Sequence, residues 1–250
     1  MILTSKNNPL IRETIALKDK KGRKELGLFL IEGVKMSREC FHSGLEIERV
    51  FVAESFMGKD EFLSLLPDKT VFVSDEVFSR ISDEKTPQGV LCRVKIPKTQ
   101  LKAPTTGACL VLDGVADPGN VGAIIRTANA AGYKEIYLTD GCADAYSPKS
   151  VRSSMSGVFF TTLYHGNREE ILSIVDKTGV IVADMQGENI FSFQAPKSFA
   201  LVIGNEANGV SDAFKNAAKH TVKIPMESTQ ESLNAAVSAG ILMYNLKKFL

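Results

Sequence analysis

Hydrophobic and polar positions between residues 28 and 94 follow two alternating spacings. Short apolar runs of strand length are separated by segments whose apolar residues recur at helical spacing, such as the stretch that ends at Gly44. The pattern predicts strands at 28–32, 49–54, 70–74 and 89–94, and helices at 33–44, 60–66 and 75–81. This alternation is typical of a small α/β domain.

A second series of strands begins after residue 107, and its apolar runs are continuous. Continuous runs are typical of strands that helices cover on both faces, so we expect an α/β domain with a mostly parallel sheet. The predicted strands are 108–113, 135–140, 179–184, 198–204 and 221–225, with helices near 120–131, 168–176 and 211–218 and at the C-terminus.

Between the two series lies "KIPKTQLKAPTTG" (95–107), which is rich in Lys, Pro and Thr and has no apolar periodicity. Such a composition is typical of a linker. The sequence therefore predicts an N-terminal domain over 1–94, a linker over 95–105 and a larger C-terminal domain over 106–250.

The composition of the 250-residue chain, 44% hydrophobic and 24% charged, is that of a globular protein. No apolar run approaches the roughly 20 residues of a membrane span, and the first ten residues lack a secretory pattern. The four cysteines are far apart without a CxxC pair, and there are only three histidines. Neither a disulfide framework nor a metal site is indicated, and we expect a reducing, cytoplasmic environment.

The net charge of +1 conceals an uneven distribution. Residues 1–24 contain seven Lys and Arg side chains and two acidic ones, which gives this segment a charge of +5. A second basic cluster comprises Lys95, Lys98 and Lys102. Most such clusters are solvated surface, but together these two could form a face for a polyanion.

Three loops carry the candidate chemistry, and each follows a predicted strand. They lie in "LDGVADPGNVGAIIRTANAAG" (112–132, motif one), "LVIGNEANGVS" (201–211, motif two) and "IPMESTQESLNAAVSAG" (224–240, motif three). Neither GxGxxG nor a P-loop pattern is present, and no motif contains a nucleophilic triad. Because ligands bind beyond the carboxyl ends of parallel strands, we expect one shared site for a ligand that carries its own reactive group.

Arg126 lies among small apolar residues in motif one, where an unpaired cation would be costly. Its anionic partner is either an internal carboxylate or a ligand phosphate. In the same way, the acid of motif two, Glu206, is either a cap or ion-pair partner or part of a site.

The three ordered motifs resemble those of the SpoU (TrmH) family of RNA ribose 2′-O-methyltransferases, within the SPOUT superfamily. The segment "GLFLIEGVKMSRECF" (27–41) is similar to the substrate-binding domain of family members, which is itself similar to ribosomal proteins of the L30e/L7Ae type. The resemblance implies S-adenosylmethionine as cofactor, RNA as partner, a homodimer and a C-terminal trefoil knot. A knotted helix must pass close to other backbone, which fits the small residues of "NAAVSAG".

The resemblance also implies roles for individual residues. It assigns catalysis to Asn120, Arg126, Glu206, Ser232 and Asn234, cofactor binding to Gly204, Ile224, Met226 and Leu233, and RNA binding to Lys149 and Arg152. Thr139 is added to the cofactor residues by its position alone, at the end of a predicted strand. Ser228 departs from the family pattern, which commonly has Gly at this position. The proton acceptor stays open between a substrate phosphate held by Arg126 and Arg126 itself.

Two other classes compete with this interpretation. One is a non-catalytic RNA-binding protein with a decayed methyltransferase domain, and the other is a nucleotide-dependent enzyme such as a dehydrogenase. The missing phosphate-loop fingerprints disfavour the second. Ribosomal RNA is preferred to tRNA as the substrate, because family members with this extra N-terminal domain often act on it.

Overall fold

The N-terminal domain is built on a mixed five-stranded sheet. The computed structural model describes residues 2–229 and 232–247. The strands are β1 (Ile2–Leu3), β2 (Leu28–Glu32), β3 (Ile47–Ala53), β4 (Thr70–Val73) and β5 (Val90–Lys95), and the helices are α1 (Pro9–Ala16), α2 (Lys20–Leu26), α3 (Val34–Ser43) and α4 (Asp75–Ile81). The strand order is β1-β4-β3-β5-β2. β5 is antiparallel to both of its neighbours, and the other pairs are parallel.

Two parts of this domain differ from the sequence-based prediction. The predicted helix at 60–66 is a 3₁₀ helix, Glu61–Leu65, and Pro67 follows almost at once, so an α-helix cannot extend here. The hydrophobic pattern predicts no element before residue 28, but the basic segment folds into α1 and α2. Ile11 and Leu17 are fully buried in the domain core, so this segment is not a free arm.

The C-terminal domain is a six-stranded sheet with the order β11-β9-β10-β6-β7-β8. Its strands are β6 (Ala108–Asp113), β7 (Glu135–Thr139), β8 (Thr162–Gly166), β9 (Val180–Asn189), β10 (Phe199–Gly204) and β11 (Ala218–Lys223). Its helices are α5 (Pro118–Ala130), α6 (Pro148–Ser154), α7 (Gly157–Phe160), α8 (Arg168–Val175), α9 (Asp212–Ala217) and α10 (Ala235–Leu246). All described pairs are parallel, which confirms the predicted type of sheet, but β8 at its edge is a strand that the sequence pattern did not predict.

α10 packs closely on α5, as its small residues predict. An ideal Cβ on Gly240 would lie 3.5 Å from the Thr127 methyl group, and Ala239 and Met243 are fully buried. The Tyr133 hydroxyl donates to the Met243 carbonyl at 3.2 Å. None of the helices in the described part of the chain has the length and apolar character that crossing a membrane requires.

The two domains share a continuous hydrophobic core. The rings of Phe29 and Tyr146 are 4.9 Å apart, and a partly buried ion pair joins Arg23 to Asp144 at 2.6 Å. The linker is irregular, but it lies against the C-terminal domain, since Thr99 Oγ1 donates to the Leu163 carbonyl at 2.7 Å.

Candidate active site

The three motifs meet at the carboxyl edge of the parallel sheet. Motif one leaves β6 and motif two leaves β10, and these strands are neighbours with Asp113 opposite Gly204. Motif three follows β11 and leads into α10. The topology therefore brings together three segments that are far apart in sequence, as expected for a doubly covered parallel sheet.

Asp113, the last residue of β6, is buried and connects motifs one and two. Its carboxylate accepts from Arg168 Nε at 2.6 Å, from the Ser211 N–H at 2.8 Å and from Thr139 Oγ1 at 3.3 Å. Burial alone would raise the pKa of Asp113, but the hydrogen bonds from Ser211 and Arg168 lower it below its usual value. A carboxylate that is charged at neutral pH therefore holds the two loops together.

Thr139 does not line the candidate cofactor groove. It is 3% exposed, and its hydroxyl accepts from the Gly114 N–H at 2.9 Å. Its place at the end of a strand suggested a cofactor contact, but its hydroxyl is used inside the protein. We therefore leave Thr139 out of the proposed cofactor site.

One side chain from each motif forms a hydrogen-bonded chain. Asn234 Nδ2 donates to Asn120 Oδ1 at 2.9 Å, and Asn120 Nδ2 donates to Glu206 Oε1 at 2.8 Å. The Ala116 N–H donates to the other Glu206 oxygen at 3.2 Å. Three of the five residues assigned to catalysis are thus in direct contact.

Glu206 is a carboxylate acceptor in this arrangement. Burial alone would raise its pKa, but the hydrogen bonds from Asn120 and from backbone N–H groups lower the pKa below the usual value for glutamate. Glu206 is therefore ionised at neutral pH, where it can order donors around it but cannot act as a proton donor.

A groove runs beside this chain in two connected parts. The larger part has a volume of about 420 Å³ and is lined by residues that include Gly204 and Leu233. The smaller part, about 140 Å³, is lined by residues that include Ile224, Met226 and Leu233. Ser232 lines both parts. All the predicted cofactor residues except Thr139 therefore lie along one groove.

The lining of the groove fits S-adenosylmethionine. Its larger part is within the usual size range for small-molecule sites, about 300–1,000 Å³. Ile224, Met226 and Leu233 offer apolar surface for an adenine ring, while Asn205, Ser232 and Ser238 add polar side chains to the lining of the larger part.

The position of Ser228 does not strain the motif-three loop. Among the described non-glycine residues, only Met155 has a positive φ, so Ser228 does not need the conformation that favours glycine. Gln230 and Glu231, which belong to the predicted loop, lie outside the described residues.

Arg126 lies apart from the Asn234–Asn120–Glu206 chain. It is exposed and lines a separate depression of about 250 Å³, together with Lys35 of the N-terminal domain and Ser156. It forms no ion pair within 2–229 and 232–247, so the internal carboxylate that the sequence left open is not found there.

The two predicted RNA-binding cations both pair with acids. Lys149 Nζ lies 2.7 Å from Asp117, and Arg152 lies 2.5 Å from Asp83 and 3.3 Å from Glu84. All these side chains are more than a third exposed, so water competes with the pairs and each contributes little stability. Their assignment to RNA stays a prediction.

Sequence reasoning missed Asp113, Arg168 and Asn205. Asn205 Nδ2 donates to the Gly114 carbonyl at 2.8 Å, which is a further bond between motifs one and two. Asp113 carried a signal, since it is an acid that ends a continuous apolar run directly before a glycine. Arg168 carried no such signal in the sequence, because its partner Asp113 is 55 residues away.

Solved structures with the same fold define the class as rRNA methyltransferases that bind S-adenosylmethionine. The AdoMet-bound rRNA methyltransferase from Sinorhizobium meliloti superposes with a TM-score of 0.89 at 26% identity, covering 100% of this chain and 98% of that one. The SpoU methyltransferase AviRb from Streptomyces viridochromogenes, in complex with AdoMet, gives 0.87 at 25% identity and covers 97% and 98%.

The chain belongs to the SpoU rRNA methylase family, whose model matches residues 107–244. The model of the MRM3-like substrate-binding domain matches residues 8–92. The chain is 31% identical to the 23S rRNA (guanosine(2553)-2′-O)-methyltransferase of Bacillus subtilis (strain 168), over 98% of both chains. It is 27% identical to the 23S rRNA (uridine(2479)-2′-O)-methyltransferase of Streptomyces viridochromogenes, over 97% of this chain and 90% of that protein.

Proposed function

We propose that the protein methylates a ribose 2′-hydroxyl in large-subunit ribosomal RNA. The observation that carries the proposal is the Asn234–Asn120–Glu206 chain, which joins all three family motifs beside a groove of suitable size. In a domain that had lost its catalytic activity, we would not expect these three side chains to remain in one hydrogen-bonded network. Relatives named as 23S rRNA 2′-O-methyltransferases, matched along nearly the whole chain, support ribosomal RNA over tRNA.

The residues of the groove bind the cofactor and order the site. S-adenosylmethionine supplies an activated methyl group when it is bound. Ile224, Met226 and Leu233 hold its apolar part, and Gly204 lines the larger part of the groove beside them. Glu206 fixes the orientation of the Asn120 amide, so the polar groups at the reacting end are already aligned before RNA arrives.

Arg126 holds a substrate phosphate in this proposal. Its exposed guanidinium, without an internal acid, can grip two phosphate oxygens. The proton of the 2′-hydroxyl has two candidate acceptors, a phosphate oxygen held by Arg126 and Arg126 itself. No histidine of the described chain lines either part of the groove.

We assign RNA binding to residues 1–94 and catalysis to residues 106–250, with homodimerisation through α10. Val237 and Tyr244, seven residues apart on one face of α10, are 51% and 41% exposed, which supports a self-association surface. Light scattering should report twice the chain mass of 27.2 kDa.

The proposal also includes the trefoil knot of the family in the C-terminal domain, because this domain has the family's fold. Four free cysteine thiols support a reducing cytoplasm.

Two experiments test the function. S-adenosylhomocysteine at about 100 times its dissociation constant should stabilise the protein by about 2.7 kcal/mol, whereas NAD should not. Mass mapping of ribose methylation should then show one 23S rRNA site that is lost in cells without the gene. A protein that no concentration of S-adenosylhomocysteine stabilises contradicts the enzyme assignment, and a lost site in tRNA contradicts the substrate.

A further inference from the structure

Four of the seven cations of the basic N-terminal segment have partners within the protein, among them Lys21, which lies 3.8 Å from Glu25. Lys6 pairs with Glu76, and Arg23 pairs with a carboxylate of the other domain. The Lys18 ammonium donates to two backbone carbonyls. The charge of +5 is therefore not a uniform RNA-binding surface, and the cations that stay available must be found individually.

Lys24 and Lys98 are two such cations, and they face the same groove. This groove has a volume of about 550 Å³ and lies between the end of α2 and the start of the linker. Both lysines are exposed, and neither forms an ion pair in the part of the chain that the structure describes. Leu26, Ile96 and Pro97 supply apolar walls beside them.

The other charged side chains around the groove are neutralised locally. Lys95 lies 2.7 Å from Glu46, and Arg93 lies 3.0 Å from Glu48. The two unpaired lysines therefore leave the groove with a positive field. None of the described residues that line the groove is aromatic, so the surface suits a phosphate backbone with its sugars better than stacked bases.

The groove is held in a fixed position relative to the active site. Its wall residue Arg23 pairs with Asp144, which lies in the loop after β7. In the same loop, the Ala143 N–H donates to the Val115 carbonyl of motif one at 2.9 Å. A strand of RNA bound in the groove would thus be held at a set distance from the site of methylation.

We propose that the groove of Lys24 and Lys98 binds phosphodiesters of the RNA substrate, outside the nucleotide that is methylated. The proposal rests on the function proposed above and adds the surface that holds the RNA. Phosphate contacts of this kind set the register of the substrate without reading its sequence.

The test compares two double variants that lose the same charge. Lys24→Ala/Lys98→Ala removes the groove lysines. Lys59→Ala/Lys85→Ala removes two exposed lysines of the N-terminal domain that do not line the groove and form no ion pair with the described residues. Binding to a 23S rRNA transcript is measured by fluorescence anisotropy at several salt concentrations. The groove variant should bind more weakly, and its slope of log K against log salt should fall by about 1.4, for two contacts to single-stranded RNA.

S-adenosylhomocysteine affinity and melting temperature should stay unchanged in both variants, because all four lysines are exposed and unpaired. An unchanged slope in the groove variant, or an equal loss in the control variant, overturns the groove while leaving the methyltransferase assignment intact. A wild-type protein that binds S-adenosylhomocysteine but not the transcript overturns the ribosomal substrate and the groove together.

Discussion

Gly204→Ala should disable the active site through a backbone clash. An ideal Cβ on Gly204 would lie 2.2 Å from the Gly209 carbonyl carbon and 2.3 Å from the Val210 nitrogen. Ordinary contact begins near 3.4 Å, so the motif-two loop must shift by about 1 Å. Glu206 lies in that loop and would lose its 2.8 Å bond to Asn120. A displacement of about 1 Å in a catalytic site can reduce turnover about 100-fold, and the overpacking should cost about 1–3 kcal/mol of stability.

The control is Gly209→Ala in the same loop. Gly209 has a φ of +67°, and an added Cβ would meet nothing within 4 Å. This change should cost about 1–2 kcal/mol from backbone strain alone, with the loop and single-turnover methylation largely preserved. Chemical denaturation, S-adenosylhomocysteine titration and single-turnover transfer are measured on both variants. If Gly204→Ala transfers methyl groups as fast as Gly209→Ala, the close approach of the loop does not position Glu206, and the reasoning is wrong.

Three further predictions concern charged side chains. Arg126→Ala should change the free energy of unfolding by less than about 0.5 kcal/mol, because the side chain is exposed and unpaired among the described residues. Methyl transfer should fall by orders of magnitude, and Arg126→Lys should restore little of it. If methyl transfer falls only in proportion to the fraction of unfolded protein, Arg126 is a structural residue. Glu206→Gln should slow methyl transfer about 10–100-fold, because the charged acceptor for the Asn120 amide is lost. Wild-type activity should not respond to titration of Glu206 above about pH 4.5, since the pKa of Glu206 is lowered. A rise in activity in the variant would contradict the role of Glu206 in orienting Asn120. Arg168→Ala should cost about 2 kcal/mol at pH 7, less than a fully buried pair because Arg168 is 44% exposed. Because the folded-state pKa of Asp113 is lowered, its contribution is fully present above the unfolded pKa of about 3.9 and is lost progressively as pH falls from there through the lower folded-state pKa. Urea unfolding at pH 7 and 3.5 should show the difference between wild type and variant beginning to shrink, and a constant difference would refute the pairing.

The sequence alone determined the elements whose causes are local. Continuous apolar runs such as "ACLVLD" predict buried parallel strands, and the structure places β6 at those residues, Ala108–Asp113. Motif order and strand-end position were sufficient to bring Asn120, Glu206 and Asn234 to one edge of the sheet. The small residues of α10 likewise predict that this helix packs closely on another element, which in the structure is α5. The strand and helix patterns can be recognised within a few residues of chain, and the common edge follows from the order in which these patterns occur.

Tertiary structure decided which partner each polar side chain has. Arg23 looked like part of a basic surface, yet it pairs with a residue 121 positions away and joins the two domains. Thr139 looked like a cofactor contact, yet its hydroxyl serves the motif-one loop. Arg126 is only six residues from Asn120 in the sequence, and this short separation did not show that Arg126 lines a different depression from the groove. Such outcomes depend on long-range packing, because the helical or extended pattern fixes which face a side chain occupies but not which distant element covers that face.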